Sequence, residues 1–375
     1  MPAASKNSPA ILIAAISGRS LAAAARRAGY RPLVADLFGD SDTVALAGRT
    51  ALLAGSIRAG IDGEKIAQIL SDLARDEEPV ALVYGSGFER RPDVIDALGR
   101  VLPLAGNSGA AVRAVKDPVA LAQLCDGFGI RHPAIRFDAP EKPQHWLVKL
   151  GGGAGGSHVR PAASAPLDEG HYYQKRVPGR SISALFLAQD GVARIIGFSR
   201  QWSSPSPASP FRYGGAVRLM RFDRKKKEQI GRWLDGLTRH AGLVGLCSAD
   251  FIDGPEGLHL IEINPRPGAT LDIFDSDAAP LLNEHLRAVR GETIAVPTYR
   301  GAAASAIAYT PRPIPRFPEI AWPSLTADHQ SPGSALDTGD PVCTVLAQAR
   351  SAAAAERAVK RRITEVAEYW REGFP

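Results

Sequence analysis

The sequence predicts a mixed α/β protein: an open parallel α/β domain first, α+β subdomains next, and a small C-terminal domain last. Three observations predict it. Residues 10–37 run apolar stretch, glycine turn, Ala/Arg helix and second apolar stretch, the pattern of a βαβ unit. From about residue 116, β-branched and aromatic strands replace that alternation. Near residue 255, a "GPEG" turn joins the apolar runs "LCSADFID" and "LHLIEINP" as a hairpin.

A length of 375 residues allows two or three packed domains. An apolar share of 45% and a charged share of 22% are those of an ordinary globular chain. No apolar run is long enough to span a membrane. The first one, "ILIAAIS", leads into "AAAARRAG", which suits a helix better than a signal-peptide cleavage site. Cys125, Cys247 and Cys343 are odd in number, far apart and without CxxC spacing. They point to a reducing cytoplasm and to no zinc site. The net charge of +6 is modest, and the cluster "RKKK" at 224–227 precedes a helical pattern. A solvated helix start explains it better than a nucleic-acid contact. A pocket for anions such as nucleotide phosphates would account for the same excess of base.

In chain order, the N-terminal units continue with a helix around 61–75, a strand at 80–86, a helix from Asp93 and the apolar run 101–108. The turn "SGRS" has one glycine, so a dinucleotide fingerprint is absent and NAD is not expected. Asp36 reads either as a ribose contact or as a turn cap. A helix from about 116 leads to the strand "HWLVKL". Strands with a "QDG" turn follow, then a Ser/Pro-rich stretch, "SSPSPASPFRYGG", that reads as a mobile loop. Residues 228–241 are patterned as an amphipathic helix. After residue 300 come proline-rich and alanine-rich stretches and a long final helix.

Two constellations carry chemistry. In "HLIEINPRPGA", strand alternation puts Ile261 and Ile263 on one face and Glu262 and Asn264 on the other. The hairpin places Asp250 opposite Glu262, and like charges directly opposed destabilise a sheet. Either a hard cation such as Mg²⁺ or Mn²⁺ sits between Asp250, Glu262 and Asn264, or one acid pairs with Arg266. The second constellation is Lys149 at a strand end, followed by five glycines within 151–157. Such a loop brings backbone N–H groups close to phosphate oxygens, or is a plain linker. His158 behind it reads as a phosphate contact or as incidental. No G-x-S-x-G or supported Cys/His pair appears, so no protein nucleophile is expected.

Taken in order, Lys149 with its glycine loop, "YYQKRVPGRSIS" and "SADFID…LHLIEINPRPG" resemble the ATP-grasp superfamily over residues 10–300. The segment "FSRQW…FRYGGAV" resembles the branch that contains tyramine–glutamate ligases. The resemblance implies an N-terminal α/β domain (1–115), an ATP-grasp domain (116–300, with a lid at about 135–178) and a small C-terminal domain (301–375). It implies ATP bound between two α+β subdomains, its phosphates on Lys116, Lys149 and the loop carrying Gly153, Gly155, Gly156 and Ser157. Gln174 and the backbone of Lys175 and Val177 would meet the adenine. Ser181 stands where many relatives carry a ribose-binding glutamate. Asp250, Glu262 and Asn264 would hold Mg²⁺, and Arg266 with Lys149 would steady the transferred phosphoryl group. Arg212, Tyr213 and Arg218 would face small-molecule carboxylate and amine substrates. The implied reaction is amide formation through an acyl-phosphate, with glutamate addition to a methanofuran-like one-carbon cofactor as the narrower expectation. A bicarbonate-using ligase of the purine-synthesis or biotin-carboxylase kind, and a nucleotide-binding regulatory protein without turnover, are the alternatives. No nucleic-acid or membrane partner is expected. The stretch "PRFPEIAWPS" packs either on the core or across a homodimer.

Overall fold

The computed structural model describes residues 8–162 and 167–371. Its N-terminal domain is built on four parallel strands in the order Arg49–Leu52, Arg31–Asp36, Ala10–Ala14, Leu82–Tyr84. The inner strands are buried along nearly their whole length, as a parallel sheet covered on both faces requires. The 101–108 run, expected to be a further element, contributes a single parallel bridge from Leu104 to Leu82. Asp36 proves to be a turn cap: its carboxylate accepts from Gly18 and Gly39 at 2.9 Å and from Phe38 at 3.3 Å.

Around residue 116 the chain makes two helices, Gly109–Lys116 and Pro118–Gly127. Ser108 caps the first through the Ala111 amide, and Asp117 caps the second through Val119 and Ala120. Lys116 is therefore the last residue of a helix, where a cation suits the helix dipole. The "RKKK" cluster also falls inside a helix. The helix Arg224–Ala241 starts four residues earlier than the pattern indicated, because Asp223 caps the Lys226 amide at 2.9 Å.

A small antiparallel sheet follows, in the order Ile135–Arg136, His171–Lys175, Trp146–Leu150, Arg160–Pro161. The main sheet has eight antiparallel strands. It starts at the hairpin Gly245–Gly254/Gly257–Asn264 and proceeds through Arg180–Gln189, Val192–Ser203 and Tyr213–Arg218. Strand Arg180–Gln189 shows why it is central. Leu185 and Leu187 pack towards the N-terminal domain, while Ala184, Phe186 and Ala188 pack on the helix Arg224–Ala241. A strand apolar on both faces ties the two layers into one body.

The sheet does not stop at residue 300. Strands Ala302–Tyr309 and Pro341–Ala349 continue it beyond Tyr213–Arg218. Phe317, Trp322 and Trp370 gather in a separate apolar cluster beside this extension. The proline- and tryptophan-rich stretch thus packs on its own chain. Among the described residues no helix is long and apolar enough to cross a membrane. The three cysteines are free and buried.

Phe186 is fully buried between the central strand and the helix Arg224–Ala241. Phe186→Ala is expected to cost about 3–5 kcal/mol, measured as a lowered midpoint at unchanged slope in urea unfolding.

Candidate active site

A continuous cavity of about 1490 Å³ runs between the small sheet, the main sheet and the N-terminal domain. Its floor is the hairpin. Asp250 and Glu262 are direct cross-strand partners, and Ser248 stands opposite Asn264. A bulge follows, since Phe251 pairs with Leu260 and Ile261 is the extra residue. The alternation therefore breaks: Leu258, Leu260 and Ile263 enter the core, whereas Ile261 lines the cavity beside Glu262. The expectation that Ile261 shares the face of Ile263 is corrected by this bulge.

The acids are held by cations and amides. Lys116 donates to Glu262, and to Asn264 Oδ1 at 2.8 Å. Asn264 Nδ2 donates to Asp250 Oδ2 at 3.1 Å, and Gln201 reaches Asp250 Oδ1 at 3.4 Å. Burial alone would raise the pKa of Glu262, but the charges of Lys116 and Lys149 outweigh it and hold the carboxyl at about 2. Asp250 goes the other way: burial, then the charge of Glu262, raise it. Two carboxylates and an amide oxygen, one acid stabilised and one left short of positive charge, suit a hard divalent cation with phosphate and water completing its shell. Among the described residues no group of three His, Cys, Asp or Glu side chains offers an alternative metal site.

Arg266 follows the strand and pairs not with the hairpin acids but with Glu89, Nε to Oε1 at 2.8 Å, both side chains buried. Its Nη2 reaches Asn264 Oδ1 at 3.4 Å. Glu89, which sequence reading passed over, is fixed in turn by the Gly87 amide at 2.7 Å. Asn107 locks the same corner: it donates to the carbonyls of Val244 and Pro265 and accepts from the Val244 amide.

Opposite the hairpin, Lys149 Nζ lies 3.4 Å from Gln174 Oε1, both buried. The glycine loop turns through positive φ at Gly152, Gly155 and Gly156. A Cβ on Gly156 would stand 2.2 Å from the Phe211 carbonyl oxygen, so the loop can press on the 204–212 segment only as glycine. The Tyr213 amide donates to Gly155 O at 2.9 Å across that contact. Among the described residues, no hydrogen bond engages the amides of Gly155, Gly156 and Ser157, and the Ser157 hydroxyl is buried without a partner. Free amides, an orphaned hydroxyl and a buried lysine form a cradle for an anion. His158 lines it too, held neutral with a pKa of about 4, by burial first and against the pull of Glu262.

The remaining expected residues divide. Lys175, Val177 and Ser181 line the cavity with Gln174. The Lys175 amide is committed to Ala134 O at 2.8 Å, which leaves its carbonyl for a ligand. Lys116 lies behind Glu262, and Gly153 packs against the His158 ring, neither forming the wall. Arg212 and Tyr213 line the cavity. Arg212 spends its donors on Ser204 O and Gly339 O and stacks on Tyr309. Arg218, expected at the substrate, lies outside the wall: it donates to the carbonyls of Ile273 and Gly301 and stacks on Tyr299.

Removing Glu89 strands the Arg266 guanidinium in a buried position. Glu89→Ala is expected to lose about 3–5 kcal/mol, read by chemical unfolding. Because Glu262 titrates below its usual range, its contribution is present above about pH 4.5 and is lost as pH falls towards 2. In chelator, wild-type stability should drop through that window by more than that of Glu262→Gln, as followed by melting temperature.

The ATP-grasp domain matches residues 117–270. No curated protein matches the chain. Among solved structures, the biotin carboxylase domain of Hydrogenobacter thermophilus 2-oxoglutarate carboxylase, crystallised with MgADP, ADP and bicarbonate, superposes with a TM-score of 0.70 at 12% identity. That match covers 93% of this chain and 89% of the other. Campylobacter jejuni biotin carboxylase gives a TM-score of 0.67 at 12% identity, covering 92% and 89%. An ADP complex of N5-carboxyaminoimidazole ribonucleotide synthetase gives 0.67 at 13% identity, covering 97% and 99%. The chain is built on the ATP-grasp fold.

Proposed function

We propose that the protein is an ATP-dependent ligase that joins a carboxylate to an amine, releasing ADP and phosphate. The observation that carries this reading is the pairing, across one cavity, of an anion cradle with a two-carboxylate hairpin. Bound ATP with Mg²⁺ would supply the phosphoryl group that activates the carboxylate. Such transfer asks the protein for positioning and charge neutralisation more than for covalent chemistry.

The chain's own residues divide that work. Lys149, the amides of Gly155 and Gly156, and Ser157 would hold phosphate oxygens. Gln174, the Lys175 carbonyl and the Val177 backbone would meet the base, with Ile261 offering an apolar surface below it. Asp250, Glu262 and Asn264 would hold Mg²⁺, with Lys116 neutralising Glu262 from behind. Arg266, kept in place by Glu89, would face the activated carboxylate. Orientation of these groups before reaction is what lowers the barrier.

Bicarbonate is a second candidate for the carboxylate partner. The likeness to biotin carboxylase structures, one of them holding bicarbonate, favours it. Glutamate addition to a methanofuran-like cofactor is the narrower alternative, supported by the "FSRQW…FRYGG" pattern, whose Gln201 reaches Asp250.

ADP release across a panel of carboxylates and amines, bicarbonate included, tests the reading. Binding of ATP without ADP from any pair would point instead to a regulatory nucleotide-binding protein. Glu262→Gln is expected to fold yet lose about 10²–10³-fold or more in ADP formation. Near-wild-type turnover by that variant would remove the metal assignment.

A further inference from the structure

Beyond Arg266 the cavity continues past the carboxyl ends of the N-terminal parallel strands, where open α/β sheets place ligands. Arg19, Phe38 and Asp40 line this end from the N-terminal domain, and Asp272 and Asp328 line it from across the cleft. Its charge is strongly one-sided, and most of it is already engaged. Arg19 is bidentate to Asp272 at 2.6 Å and to Asp328 at 3.0 Å. Asp36 is spent on three backbone amides. Asp42 accepts the amides of Asp328 and His329, both at 2.9 Å.

Asp40 is different. It is 2% exposed, it lines the cavity, and among the described residues no hydrogen bond reaches its carboxylate, not even as the cap of the short helix it precedes. Burial, then the charges of Asp328, Asp36 and Asp42, push its carboxyl up to about 8, against the pull of Arg19. His329, next to Asp328, is lowered by burial. A buried carboxyl with no partner is costly, and here a cavity lies in front of it. An anionic ligand would meet the carboxyl groups of Asp40, Asp272 and Asp328 there, with Asp36 and Asp42 close behind them, against the committed Arg19 and the exposed Arg58. A ligand bringing positive charge and N–H donors would satisfy Asp40 and relieve the repulsion. Ile16, Leu21 and Phe38 beside it offer apolar surface.

We propose that this acidic end receives the amine partner of the ligation, as a primary ammonium on an apolar skeleton, with Asp40 as the group that recognises it. The carboxylate partner then lies on the Arg266 side. This assignment rests on the ligase reading and deepens it by naming the chemistry of one substrate.

The test is calorimetric titration of the full chain at pH 7.5 with 2-phenylethylamine, butylamine and butyrate as probes. The expected result is that wild type binds the amines and not butyrate. Asp40→Asn and Asp40→Ser should each weaken amine binding at least tenfold, with ATP affinity unchanged and no fall in melting temperature. Equal amine affinity in wild type and variants, no amine binding by wild type, or preference for butyrate would overturn the assignment. Asp40-dependent amine binding without ADP release from any substrate pair would sink the ligase reading and leave the amine site standing. ADP release indifferent to Asp40 would do the reverse.

Discussion

A carboxylate set into a folded sheet must find a cation or give up its charge, and the site is organised around that constraint. Glu262 meets it through Lys116, the last residue of a helix that belongs to the linking region rather than to the sheet. The contact therefore fixes where that helix ends relative to the hairpin. A few ångströms away, Arg266 and Glu89 repeat the solution between the end of the hairpin and the turn after the last parallel strand. Asn107 adds neutral hydrogen bonds from the same domain. Both ion pairs cross from the N-terminal domain or its linker to the hairpin, so the groups that need neutralising are also the groups that align the layers.

Seen along the cavity, charge changes sign. Lys149 and Arg266 stand at one end and the middle, with Lys116 behind the floor, and the aspartates around Arg19 stand at the other end. In a cleft with low-dielectric walls, fields of opposite sign sort ligands by charge as well as by shape. A phosphate-rich ligand and a cationic one would be drawn to opposite ends of one cavity, an arrangement suited to joining two unlike molecules.

Much of this was legible in the sequence, and the exceptions have physical causes. The hairpin register followed from the "GPEG" turn, since turn geometry fixes which residues face each other. Lys149 and its glycines were readable because positive φ and close approach select glycine. Glu89 was not readable: in "GSGFERR" it is one charge among several beside a turn, and only the packing of two domains brings it to Arg266. Asp40 was equally silent, because its burial comes from the chain around residue 328 folding back over it. Arg218 misled for the opposite reason. Its place after a Tyr-Gly-Gly motif resembles a substrate contact, yet neighbouring backbone carbonyls and Tyr299 claim the guanidinium first. The C-terminal strands join the main sheet through alanine-rich ladders, which carry little of the alternation that marks a strand.

The bulge at Ile261 has a consequence for how this site tolerates change. Leu258 and Leu260 keep one phase and Ile263 keeps the other, and one surplus residue reconciles them. Were the ladder to run on in the register of Leu260, Ile263 and Glu262 would exchange places, with the carboxylate among leucines and the isoleucine in the cleft. Spacing along this strand is thus held more tightly than side-chain identity. Conservative substitutions at Ile261 or Ile263 keep the phase, whereas any change that irons out the bulge at an unchanged residue count turns the hairpin's working face inward without altering Glu262 or Ile263.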